Sequence, residues 1–85
     1  GFAKTPGQSY ELLAHLDLLK MLGHPVLAAL SRKSMIYKIL DTDAEHALNG
    51  TTAAHTIALM KGANMLRVHD VKEAREAIKI VEKVI

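Results

Sequence analysis

"PVLAALSRKSMIYKIL", Pro25 to Leu40, sets an apolar run directly against a helical pattern, with two cations between two hydroxyls at the junction. The run Pro25 to Leu30 is short, apolar and unalternating, which suits a strand covered on both faces, as in parallel sheets. Its alanines are weak strand formers, so its neighbours predict the strand more than propensity does. Ser31-Arg32-Lys33-Ser34 ends the run, and a helix is predicted from there through about Leu40.

Upstream, Thr5, Pro6 and Gln8 carry the signature of a helix start: a cap, a proline at the first position and a capping-box partner. Leu12, Leu13, Leu16, Leu19 and Leu22 follow as one stripe, and Gly23 with Pro25 stops the helix. Downstream, the polar stretch "DTDAEHALNG" precedes a second helical segment, "TTAAHTIALMKG", with Thr51 or Thr52 as its expected cap and Gly62 as its stop. "NMLRVH", Asn64 to His69, reads as a second strand. Asp70 is the expected cap of a last helix, with Glu73 in the capping-box position. That helix carries the stripe Val71, Ala74, Ile78, Val81, Ile85 and a charged opposite face.

The predicted order is helix, strand, helix, strand, helix, an alternation that signals an α/β protein with parallel strands. Two strands neither close a barrel nor cover a sheet, so the chain is expected to be the back end of a larger α/β domain. Gly1 in place of an initiator methionine agrees with that expectation.

Eighty-five residues, 49% of them hydrophobic, make at best a small core. The absence of cysteine removes disulfides and thiolate metal sites from consideration. A net charge of +2 is too mild to argue for nucleic acid or an anionic membrane as partner. No apolar run approaches the roughly 18 residues of a spanning helix, and a cytoplasmic protein is expected. The histidines His15, His24, His46 and His55 show no metal-ligand spacing and are assigned to surface or helix-face positions; Met21, Met35, Met60 and Met65 are assigned to the core.

Parallel α/β folds bind ligands at the carboxyl ends of their strands. Ser31 to Ser34 occupy one such end and Arg67 to Asp70 the other. Alternation along a strand puts Arg67 and His69 on one side, where a fork of guanidinium donors and an imidazole N–H suit a phosphate or diphosphate. Ser31, Lys33, Ser34 and the helix front beside them offer a second anion-friendly end. Taken alone, each cluster is better read as ordinary capping, an exposed basic turn or a structural ion pair, and only their coincidence at strand ends puts a functional reading on even terms. Their coincidence suggests a substrate with several negative charges.

"GFAKT" at Gly1 to Thr5, "SRKS" at Ser31 to Ser34, "NGTTAAHTIALMKGA" from Asn49 and "RVHDVKEA" from Arg67 follow the order and spacing of the dihydropteroate synthase family, and the chain resembles it over essentially its whole length. The resemblance implies the C-terminal part of a TIM (β/α)8 barrel. Residues 1–85 would form one segment of a single pterin-binding domain, from the end of the sixth strand's loop through helix eight. The implied reaction joins 6-hydroxymethyl-7,8-dihydropterin diphosphate to p-aminobenzoate and releases pyrophosphate, with Mg2+ held by groups outside this segment. In the implied site, Lys33, Arg67 and His69 contact the pterin diphosphate. Phe2, Lys33 and Ser34 contact p-aminobenzoate, and Ser31 and Arg32 support the loop. A homodimer through the last helices is also implied. Ala3, Ala29 and Tyr37 stand where the family commonly has glycine. A pterin-binding methyltransferase and a non-catalytic oligomerisation module are the alternatives.

Overall fold

The computed structural model describes residues 6–23 and 25–85. Phe2, Ala3, His24 and Thr5, with the capping box Thr5 would open, lie outside the described residues. The elements are α1 (Pro6–Ala14), α2 (Leu16–Met21), β1 (Leu27–Ala28), α3 (Ser34–Ile39), a 3-10 turn at Ala44–His46, α4 (Leu48–Met60), β2 (Met65–Leu66) and α5 (Val71–Val84).

The predicted alternation is present with two amendments. The first helix is divided at His15, where the His15 amide bonds the carbonyl of Leu12 and that of Leu18 bonds His15, each three residues back. Both strands are only two residues long, against six expected for each. The alanines and the turn at Ser31 shorten the first, and in the second the ladder ends when the Arg67 amide bonds Ala28 at 2.9 Å.

β1 and β2 pair in parallel with Leu27 opposite Met65 and Ala28 opposite Leu66. Asn64 extends the pairing: its side-chain oxygen accepts the Val26 amide at 2.9 Å, and its own amide donates to the Val26 carbonyl at 2.8 Å. One face of the pair is covered. Val26 and Ala28 join Leu13, Leu16 and Ala58 in a buried cluster, flanked by Leu30, Ala63 and Leu66. Leu27 and Met65, side by side on the other face, are 58% and 65% exposed. The strand pattern asks for cover on both faces, and the described residues supply one.

A second cluster, Met35, Ile36, Ala47 and Ala54, sits between α3 and α4, with Tyr10, Leu30 and Tyr37 against it. Tyr10 donates its hydroxyl to the Met35 carbonyl at 2.8 Å and ties α1 to the start of α3. Gly50 lets α4 approach α3: a Cβ there would lie 2.6 Å from Ile36 Cγ2. Glycines at positive φ end α2 and α4, Gly23 at 83° and Gly62 at 100°, as their positions predict. Asp41 takes the same left-handed conformation, φ 55°, after α3.

Several assignments need correction. Thr51 and Thr52 lie inside α4, which starts at Leu48 with Ala47 before it and no side-chain cap. Leu48 and the 3-10 turn extend the helix backward. Only Leu13 and Leu16 of the leucine stripe are buried, because no described layer covers Leu12, Leu19 and Leu22. Met35 is a core residue, but Met21, Met60 and Met65 are 80%, 47% and 65% exposed. In α5 the buried residues are Ala74, Ala77 and Val81, while Val71 and Ile85 are exposed.

Candidate functional site

The two strand ends are one structure. Ser31 is buried, and its Oγ lies 2.7 Å from Nδ1 of His69 while accepting the His69 amide at 3.2 Å. One residue on, Arg32 grips Asp70 with two parallel bonds, Nε to Oδ2 and Nη2 to Oδ1, each 3.0 Å. Its remaining donor, Nη1, reaches the carbonyls of Ala44 and Glu45 at 2.7 and 3.0 Å. A planar guanidinium suits this three-cornered task, which a lysine ammonium could not fill in the same geometry. Arg32 therefore joins the β1–α3 turn, the 3-10 turn and the β2–α5 turn.

This geometry requires Arg32 to adopt φ 53°, the left-handed region that an L residue reaches at a cost of about 1–2 kcal/mol. Its amide is turned into α4, where it donates to Thr51 Oγ1 at 2.9 Å. Thr51 is thus a buried acceptor for the turn and not a helix cap.

Asp70 occupies the N-cap position of α5 but makes no side-chain cap bond. Its carboxylate is engaged by Arg32 instead, which corrects the capping-box assignment with Glu73. The hydrogen-bonded guanidinium holds the Asp70 carboxyl below the usual carboxylate range, and the nearby His69 and His55 act in the same direction.

Of the two positions expected for His55, surface or helix face, it takes the second, on the inner face of α4: it is 2% exposed, and its Nε2 has no hydrogen-bond partner among the described residues. Burial pushes its pKa down, with the Asp70 charge opposing. It follows Thr51 by one turn on α4, so both face the network beneath the strand ends. A lone histidine in an alanine-rich helix gave no sequence signal of this. His15 is exposed, and His46 is an exposed partner of Asp43 at 2.8 Å.

Past the end of β2 the burial still alternates: Arg67 and His69 are exposed, and Leu66 and Val68 are half-buried. Lys33 precedes α3 in extended conformation, φ −73° and ψ 158°, and Ser34 is the exposed first residue of that helix. Lys33 lines a cavity of about 250 Å3 together with Leu12, Leu13, Leu30 and Met35; neither Arg67 nor His69 borders it. The structure brings Ser31, Arg32, His69 and Asp70 together and leaves Lys33 on the α1 side. Phe2 is outside the described residues. No three His, Cys, Asp or Glu side chains among the described residues converge as a metal site.

The chain and its fold are similar to those of known proteins. The family model described as pterin binding enzyme matches residues 1–69. The dihydropteroate synthase of Haemophilus influenzae is 44% identical over 80 residues, 94% of this chain and 29% of that protein. The solved 7,8-dihydropteroate synthase of Vibrio fischeri superposes with a TM-score of 0.95 at 44% identity, covering 99% of this chain and 31% of the other. The Thermus thermophilus dihydropteroate synthase, solved in complex with 4-aminobenzoate, gives 0.92 at 43% identity over the whole of this chain and 34% of its own. The chain thus spans about three tenths of the length of such relatives, and its fold is that of the C-terminal part of a (β/α)8 barrel. With a family model matched over most of its length and the same fold in the solved relatives, the chain belongs to the pterin-binding enzyme family.

Proposed function

We propose that this chain is the C-terminal segment of a dihydropteroate synthase, spanning the end of the sixth strand's loop through helix eight. The enzyme condenses 6-hydroxymethyl-7,8-dihydropterin diphosphate with p-aminobenzoate, giving 7,8-dihydropteroate and pyrophosphate. The observation that carries the reading is that Arg67 and His69 are both exposed just past β2, Arg67 tied by its amide to Ala28 and His69 by Ser31, with Arg32 gripping the adjoining Asp70. The names of the relatives, and the 4-aminobenzoate bound to one of them, support the two substrates.

In this reading Arg67 holds diphosphate oxygens through its fork of donors, and His69 adds one more hydrogen bond. Charge grows on the pyrophosphate as its carbon–oxygen bond breaks, and both groups bind that charge more tightly than the ground state. Lys33 contacts the pterin and lies next to p-aminobenzoate, whose carboxylate meets Ser34; the family resemblance assigns Phe2 to the same p-aminobenzoate site. No general base is assigned, since positioning accounts for the attack of the aniline nitrogen. Mg2+ would neutralise charge on the leaving group, and its ligands would come from outside this segment. The bare face at Leu27 and Met65 packs on the rest of the barrel. Exposed Ile57, Met60, Ile80 and Val84 on α4 and α5 supply a homodimer face in a cytoplasmic enzyme.

Arg67→Ala in the intact enzyme tests the assignment. Loss of charge-assisted bonds of about 1.5–3 kcal/mol raises the KM for pterin diphosphate tenfold or more, and that for p-aminobenzoate far less. Equal losses for both substrates would remove Arg67 from the diphosphate site.

A further inference from the structure

We propose that Ser31 is a positioning residue for His69, fixing the imidazole so that Nε2 always presents an N–H to the bound anion. The inference rests on the reading that His69 holds the diphosphate.

The geometry is specific. Ser31 Oγ touches both the ring and the backbone of His69, at 2.7 Å to Nδ1 and 3.2 Å to the amide. A hydroxyl has one donor and two acceptor sites. The amide of His69 uses one acceptor site; if Nδ1–H took the other, the O–H of the buried Ser31 would have no acceptor among the described residues, so the satisfied arrangement has the O–H donating to Nδ1. A neutral ring that accepts at Nδ1 must carry its hydrogen on Nε2. Should the ring take up a second proton, the hydroxyl rotates and accepts Nδ1–H at its other lone pair. In both states the outward nitrogen is a donor. The opposite tautomer would turn a lone pair toward phosphate oxygens and repel them.

The position admits few other side chains. Ser31 is 7% exposed, so a larger residue would have to displace its neighbours. Its place is fixed on the following residue, where the Arg32 amide is anchored to Thr51 and the guanidinium to Asp70. Because Asp70 directly follows His69, that grip also prevents the second turn from drifting away from Ser31. Ser31 thus acts through His69 and need not touch substrate itself.

Two measurements on the intact enzyme test this. In the wild type labelled with 15N-histidine, with and without inorganic pyrophosphate, neutral His69 should show the unprotonated shift at Nδ1 and the protonated shift at Nε2. The reverse pattern overturns the proposal. In the second, Ser31→Ala should weaken pyrophosphate binding by roughly threefold to tenfold, the value of one neutral hydrogen bond. It should leave the KM for p-aminobenzoate within about twofold, and His69→Ala should then cost less in the Ser31→Ala background than in the wild type. Unchanged pyrophosphate affinity in Ser31→Ala, or losses that simply multiply, overturns the proposal. If His69→Ala alone leaves pyrophosphate binding intact, the assignment of His69 to the diphosphate fails instead. Should Ser31→Ala not fold, the wild-type tautomer decides.

Discussion

Gly50→Ala is the substitution for which the structure sets two opposing effects against each other. Gly50 lies in the first turn of α4, where an alanine would ordinarily improve a helix by up to about 1 kcal/mol. Its added Cβ, however, would stand 2.6 Å from Ile36 Cγ2 and 2.7 Å from Leu40 Cδ1, both well inside contact distance. Leu40 is 53% exposed and can swing its methyl into solvent. Ile36 is 2% exposed, and its Cγ2 branches directly from the backbone-proximal carbon, so relief requires an off-rotamer χ1 or movement of α3. Overpacking of this kind costs about 1–3 kcal/mol, which exceeds the propensity gain. A net loss of about 0.5–2 kcal/mol is expected in the stability of the intact protein, read from its urea denaturation. The loss should shrink in the double variant with Ile36→Leu, which removes the branch that the new methyl would strike. The neighbouring Thr51 makes the effect visible at the site, because moving α4 away stretches its 2.9 Å bond to the Arg32 amide. A Gly50→Ala protein more stable than wild type, with no coupling to Ile36→Leu, would show that the close approach of α3 and α4 is not rigid.

Asp41→Gly should raise stability by up to about 1 kcal/mol, since glycine occupies φ 55° without the Cβ strain, and equal urea midpoints would count against strain there. The Asp70 carboxyl is held low by Arg32 when folded, so its contribution is present above the ordinary carboxylate range and is lost as the pH falls through the lowered value. Asp70→Asn should flatten that acid-side decline in denaturation midpoints, and an unchanged slope would refute the coupling. His55→Leu should raise the midpoint, because a buried unpartnered nitrogen costs about 1–3 kcal/mol. The same variant should remove the stability lost as the pH drops from the ordinary histidine value to the lower folded one. A lower midpoint in His55→Leu would mean that Nε2 is satisfied in the intact protein.

The helix–strand alternation was legible because capping residues, stop glycines and apolar stripes are local signals. Gly23 and Gly62 fell where the sequence placed them. Strand length was not legible: the ladder ends where Ser31 turns, and a run of six apolar residues does not reveal that. Nor was the covering of each face. Leu12, Leu19, Met21 and Met65 look like core residues by type, yet whether a layer covers them depends on chain beyond the described residues. At the site, the grouping of "SRKS" with "RVHD" at strand ends was readable from topology. The division of labour inside it was not. Arg32 and Asp70 read as a loop cation and a helix cap, because a pairing between turns leaves no trace in local pattern. His55 was hidden for the same reason, since its burial is decided by how α4 meets those turns.

The strand pairs, the Asn64 rung, the Ser31–His69 contact and the Arg32–Asp70 grip all join residues separated by the same 38 positions. The register of the sheet therefore continues unbroken out of the strands and through both turns. Insertions and deletions should consequently sort into two kinds. One residue gained or lost between Ala28 and Arg32, or between Leu66 and Asp70, would throw every later pair out of step and face His69 with the wrong partner. The intervening stretch from Asp41 to Ala44 could change length without altering either turn, provided the Ala44 and Glu45 carbonyls still reach Arg32. Homologous loops transplanted into this protein should work only when both turns are exchanged together.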